Sequence, residues 1–128
     1  MRFLRIWSDD AEVSHIQELT TEYSPMEDYA RGIPTVGISA KARGEDTYLL
    51  SMARGFFGDW HPAPRRQLMA QMQGNLRVTT SDGTTVETEP GTLWCVEDLK
   101  GVGHQTEVTG DDDVLFLVIG TPDGWTAG

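Results

Sequence analysis

Hydrophobic residues along this chain fall in short runs that alternate with polar ones, and glycine or proline interrupts the runs about every ten residues, the pattern of successive β-strands. Gln67-Leu68-Met69-Ala70-Gln71-Met72-Gln73 shows the two-residue period plainly. Strands are expected over Arg2 to Trp7, Ser14 to Leu19, Thr47 to Arg54, Gln67 to Gln73, Leu76 to Thr80, Thr84 to Glu89, Thr92 to Glu97, Thr106 to Thr109 and Val114 to Ile119. Asp82-Gly83 supplies the positive φ angles of a tight hairpin turn between threonine-rich strands. Glu89-Pro90-Gly91 predicts a second turn, because proline sets φ and glycine relaxes the next position. Residues Thr20 to Arg43 differ. Ser24 as N-cap, Pro25 in the first position and acids Glu27 and Asp28 in the first turn predict a short helix followed by loop, with Gly32 and Pro34 ending it.

Composition sets the frame for this all-β pattern. The 128 residues fit a single domain spanning 1–128, large enough to enclose a core without disulfides. Twenty acidic residues against ten basic ones give a formal charge of −10. That balance excludes nucleic acid as a partner, since no basic footprint replaces its counterions, and an anionic membrane surface for the same reason. Asp111-Asp112-Asp113 reads as a solvated turn, without the spaced ligands of a calcium loop. Cys95, the single cysteine, forms no internal disulfide. Charged residues break up the N-terminus before an apolar signal region develops, and no apolar run approaches a membrane span of ~20 residues. A cytoplasmic location is the expectation.

Between Gly55 and His104 the spacing carries chemistry. Gly55, five residues, His61, one residue, Ala63, three residues, Gln67, six residues and Gly74 form a pattern that resembles the first motif of the cupin superfamily. Ala63 stands in place of the second histidine of that motif and Gln67 in place of its glutamate. Pro90-Gly91, the strand Thr92 to Glu97 and Gly101-Val102-Gly103-His104 resemble the second motif. Here Glu97 replaces the usual proline, the loop before His104 is longer, and Val108 replaces the closing asparagine. The resemblance covers Thr47 to Ile119. It implies an all-β double-stranded β-helix, the cupin jelly-roll barrel, at 46–120, preceded by N-terminal strands and a helix or loop segment at 1–45, with a pocket inside one mouth.

The residues of that pocket follow from alternation. If Gln67 faces the interior, Met69 and Gln71 do too, while Leu68, Ala70 and Met72 face outward. Amides and a thioether then lie beside His61 and His104. A tight metal site uses three or four protein ligands, and only two histidines remain at the four ligand positions implied by the resemblance. The metal-free reading therefore leads. The alternative is an iron, manganese, nickel or zinc ion held by His61, Gln67 and His104. Imidazole exchanges a proton near neutral pH, so His104 and His61 are candidate acid–base groups, or simply hydrogen-bonded core polars. Glu97-Asp98, leading to His104, could orient the imidazole or complete an acid–base pair with it, and Glu97 is taken as the third catalytic candidate. Arg65 or Arg66 could meet an anionic oxygen, or pair with nearby acids. Trp60 and Tyr48 complete the candidate substrate-binding set with Gln67, Gln71, Met69 and Arg65, against the alternative that both aromatics pack in the core. Trp94, Phe116 and Met52 are expected in the core, Phe56-Phe57 at a lip or dimer contact, Cys95 as an inert buried thiol and His15 in a structural role.

Three functions are open to such a chain. The first is metal-independent proton-transfer chemistry (isomerase, dehydratase, lyase or cyclase type) on a small organic substrate. The second is a metal-dependent oxygenase, and the third a non-catalytic small-molecule binder or sensor. Sheet edges that need covering, together with the resemblance, imply a homodimer.

Overall fold

In the computed structural model, which describes residues 1–125, the two-residue pattern becomes twelve strands. They are β1 (Arg2–Ser8), β2 (Ser14–Thr20), β3 (Ser24–Met26), β4 (Val36–Ile38), β5 (Glu45–Met52), β6 (Phe57–His61), β7 (Gln67–Gln73), β8 (Asn75–Thr80), β9 (Thr85–Thr88), β10 (Leu93–Glu97), β11 (His104–Thr109) and β12 (Val114–Gly120). A six-stranded sheet has the order β2-β1-β10-β7-β12-β5, a four-stranded sheet the order β6-β11-β8-β9, and β3-β4 form a separate ribbon. The β1–β10 pair is parallel and the other strand pairs are antiparallel.

The inward faces of the two larger sheets meet in one core. Leu4, Ile6, Met69, Trp94, Val96, Phe116 and Val118 come from the six-stranded sheet, and Leu76, Val78 and Val108 from the four-stranded one. Burying side chains of the Phe116 or Val118 kind stabilises by about 1.5–3 kcal/mol each. Behind the six-stranded sheet, Phe3 and Cys95 form a second cluster with Leu19, Leu93 and Trp125. Burial there, helped by the nearby Glu97 charge, pushes the Cys95 thiol up to about 12, so it is no nucleophile at neutral pH.

The hairpin at Asp82-Gly83 forms as its sequence dictates. Gly83 takes φ +89°, and Asp82 Oδ1 accepts from Thr80 Oγ1 at 2.7 Å and from the Thr84 amide at 3.0 Å. Three expectations change. No helix forms at Ser24 or elsewhere among the described residues. Ser24–Met26 instead pairs with Val36–Ile38, because a two-turn helix with both sides exposed has no packing to offset its nucleation cost. The strand expected over Thr47 to Arg54 lies two residues earlier, at Glu45–Met52; Ala53 and Arg54 belong to the turn, closed by the Phe56 amide on the Ala53 carbonyl at 2.9 Å. Finally, Phe57–His61 is a strand, although Gly58 and Asp59 weaken its sequence signal. No helix of the described residues is long and apolar enough to cross a membrane.

His15 ties the N-terminal hairpin to the β8–β9 turn. Its ring stacks on Trp7 at 4.8 Å, with Nε2 2.7 Å from Asp9 Oδ2 and Nδ1 3.0 Å from Asp82 Oδ2. Carboxylates on both ring nitrogens favour the imidazolium. The Asp9 hydrogen bond, opposed by burial and helped by Asp82, raises the His15 pKa above 6.5. The His15 hydrogen bond lowers that of Asp9 below 3.8. A raised folded-state pKa gives stability that is full below about 6.5 and lost as pH rises through the folded value. The stability lost by His15→Gln, read from urea midpoints, is therefore expected to shrink between mildly acidic and alkaline pH. A pH-independent difference would show that the contact does not titrate.

Candidate active site

Along β10, Trp94 and Val96 face the core, and the same parity carries Asp98 inward while Glu97 falls on the opposite face with Cys95. Asp98 is fully buried, at 0% exposure. His104 Nδ1–H donates to Asp98 Oδ2 at 2.6 Å, and Asp98 Oδ1 is buried with no protein hydrogen-bond partner among the described residues. His104 opens β11 directly across from His61 of β6, and their ring centroids are 4.5 Å apart at 56°. His61 Nδ1–H donates to the Asp59 carbonyl at 2.7 Å. With each Nδ1 committed as a donor, the neutral rings present Nε2 as a hydrogen-bond acceptor.

Backbone constraints hold this pair. Gly103 has φ +75°, and a Cβ there would overlap the His61 carbonyl, so only glycine lets β11 begin so close to β6. The Ala63 amide donates to the Asp98 carbonyl at 2.9 Å. The proline-stiffened entry Pro62-Ala63-Pro64 is thereby pinned to the residue that carries the buried carboxylate.

His61 and His104 open on a cavity of about 260 Å³ between the two large sheets. Gln67, Met69 and Tyr48 line it, together with Ala63, Thr106, Leu50, Met52, Val78, Trp94 and Phe116. Gln67 Nε2 points to Met69 Sδ at 3.5 Å, and its Oε1 is buried without a partner. The other candidates lie elsewhere. Glu97 accepts from Arg5 Nε at 2.7 Å, with Arg66 at 3.8 Å, on the outer face of the sheet, so it does not touch His104. Asp98 holds the place taken for Glu97. Arg65 is not a lining residue: it pairs with Asp46 at 3.2 Å and lies 5.5 Å from the Tyr48 ring centre. Gln71 faces inward but is consumed by structure, accepting from Thr88 Oγ1 at 2.8 Å and donating to the Gly74 carbonyl at 2.8 Å. Trp60, next to inward His61 in β6, faces the other way and is 41% exposed.

The polar side chains lining the cavity are two imidazoles, one amide, the Thr106 hydroxyl and the Tyr48 phenol. Ala63 occupies the cavity wall at a position that the motif gives to a ligand, and Asp98 is committed to Nδ1 of His104. Among the described residues no three or more His, Cys, Asp or Glu side chains gather as a metal site. The set falls short of the three or four strong ligands of a tight site.

No protein-family model matches the chain, and no curated protein matches it. Among solved structures, the Cnp3 cupin domain of Schizosaccharomyces pombe is similar at 13% identity and TM-score 0.51, over 80% of this chain and 84% of that one. Protein NMB1881 from Neisseria meningitidis is similar at 15% identity and TM-score 0.46, over 67% of this chain and 88% of that one. The first likeness shows a cupin fold.

The two glycines differ in a way that can be measured. Gly83→Ala meets nothing within 4 Å and carries only the positive-φ strain, about 1 kcal/mol. Gly103→Ala adds the collision with His61 and is expected to cost about 2–4 kcal/mol in urea unfolding. Equal losses would show that the His61–Gly103 approach does not constrain the fold.

Proposed function

We propose that this chain is an enzyme that performs metal-independent acid–base chemistry on a small organic substrate held in the cavity between its sheets. The observation that carries this reading is the buried Asp98–His104 pair, whose imidazole lines an otherwise largely apolar cavity. His104 Nε2 takes a proton from a substrate C–H or O–H. The Asp98 carboxylate fixes the tautomer through Nδ1 and stabilises the imidazolium that results. The proton then returns to another substrate atom, or to a departing hydroxyl, which covers isomerisation, dehydration, elimination and cyclisation. His61, packed on the same ring, is the second proton-bearing group within reach. Asp98 is a positioning residue, and the cavity between the two large sheets holds the substrate against the pair.

The reading includes a homodimer. Leu49, Met72 and Leu115 are 76%, 60% and 36% exposed on strands β5, β7 and β12, an apolar outward surface on a strongly acidic chain. Light scattering on the purified protein is expected to give about twice 14.2 kDa, and Leu49→Arg to lower it towards the single-chain mass. A wild-type mass of one chain removes the dimer.

For catalysis, the protein is incubated with a small-metabolite extract in deuterated water and followed by mass spectrometry. Compounds that are consumed, or whose products gain solvent deuterium, are expected with the wild type in the presence of chelator. His104→Asn, chosen to keep a hydrogen-bonding side chain opposite Asp98, is expected to slow them by about 10²-fold or more. Unchanged turnover in that variant removes His104 from the mechanism. Oxygen incorporation that needs added iron makes the protein an oxygenase. Retention of a compound in equal stoichiometry without any product makes it a binding protein.

A further inference from the structure

We infer that the cavity takes an uncharged, largely apolar molecule carrying a hydroxyl group, of the phenol, enol or alcohol class, with that hydroxyl set against His61 and His104. The inference rests on the site assignment above and extends it to the chemical class of the ligand.

The polar end of the cavity is made by imidazole, amide and hydroxyl groups, with no side chain of fixed charge among its lining residues. No arginine or lysine lines it among the described residues. Of the cations near the two histidines in sequence, Arg65 is engaged by Asp46 beside Tyr48, Arg66 lies with Arg5 against Glu97 on the far face of β10, and Lys100 is exposed and does not line the cavity. A positive charge gained by His104 is matched by the Asp98 carboxylate behind it, so the pair offers an entering anion no net cation. The formal charge of −10 opposes an anion further. A carboxylate or phosphate would lose its water and gain little in return.

An O–H group, by contrast, fits the hydrogen-bonding pattern. Both Nδ1 atoms already donate, to Asp98 and to the Asp59 carbonyl, and neither Nε2 has a hydrogen bond to a protein group among the described residues. Two adjacent imidazole acceptors are met by a donor, and a hydroxyl is the simplest neutral one. Beyond them the wall is apolar, from Leu50, Met52, Val78, Trp94 and Phe116, and matches a hydrocarbon or aromatic body. An apolar cavity of about 150 Å³ holds benzene, and this one, with about 260 Å³, has room for one ring with short substituents.

Three probes of nearly equal shape separate the possibilities: 4-methylphenol, p-xylene and 4-methylbenzoate. Each is titrated at neutral pH into protein carrying ¹⁵N-labelled histidine and ¹³C-methyl methionine. The methyls of Met52 and Met69 report entry into the cavity, and the imidazole ¹⁵N resonances report contact with Nε2. 4-Methylphenol is expected to shift both sets saturably. p-Xylene is expected to shift the methionine methyls alone. 4-Methylbenzoate is expected to bind at least about tenfold more weakly than the phenol. Binding of 4-methylbenzoate as tight as that of the phenol overturns the inference. So does entry of the phenol without movement of either Nε2 resonance, or no saturable shift with the phenol up to its solubility.

The deuterium experiment fails independently of this one. The expected binding pattern beside turnover that ignores His104→Asn leaves the ligand class standing and removes the catalytic role. Turnover that depends on His104, beside a preference for the benzoate, does the reverse.

Discussion

A carboxylate wholly removed from water has to be compensated, and among the described residues the Asp98 side chain has one hydrogen-bond partner for the purpose, His104 Nδ1 at 2.6 Å. Losing either half of such a pair strands a buried group, at a cost of about 3–5 kcal/mol when it remains charged. Much of the local backbone follows from that requirement. β11 starts at His104, Gly103 has the conformation that brings it against His61, and the segment before β7 is hydrogen-bonded to the Asp98 carbonyl. Fixing one nitrogen of the imidazole orients the other, and the proposed chemistry depends on that orientation.

Strand β10 divides the molecule's polar chemistry into two compartments. Its inward residues lead through Trp94 and Val96 to Asp98 and the cavity. Its outward residues, Cys95 and Glu97, meet Trp125, Arg5 and Arg66. At β10 the cation–carboxylate pairing lies behind the sheet, where the Arg5–Glu97 pair is partly shielded from solvent, while no Arg, Lys, Asp or Glu lines the cavity among the described residues. The net charge of −10 describes the exterior of this protein and says little about its interior.

The strands with a clean two-residue period were legible in the sequence: β7 and the β8–β9 hairpin needed only alternation and the Asp-Gly turn. β6 was not, because Gly58 and Asp59 dilute its propensity and its partner β11 lies more than forty residues further along. Met26, Tyr29 and Ile33 have near-helical spacing, but all three are exposed, and Met26 ends up in a two-stranded ribbon. At the site, motif spacing singles out His61, His104 and Gln67 and parity adds Met69, and these side chains line the cavity; Tyr48 lines it too, although neither signal marks it. Counting by twos from Trp94 also selects Asp98 over Glu97, so that distinction is legible in the sequence. The engagements of Arg65 and Gln71 were not available, since Asp46, Tyr48, Gly74 and Thr88 reach them only through tertiary packing.

The parallel pairing of β1 with β10 has a consequence for how the chain is made. Leu4 lies beside Trp94 and Ile6 beside Val96, partners separated by about ninety residues of sequence. β1 can form a hairpin with β2 as soon as both are synthesised, but its other edge and the apolar faces of Phe3, Leu4 and Ile6 stay uncovered until β10 leaves the ribosome. At about 5–20 residues per second that interval lasts roughly 5–20 s. β1 is thus synthesised well before its parallel partner, and the free edge of the nascent β1–β2 hairpin is open to premature pairing throughout that interval.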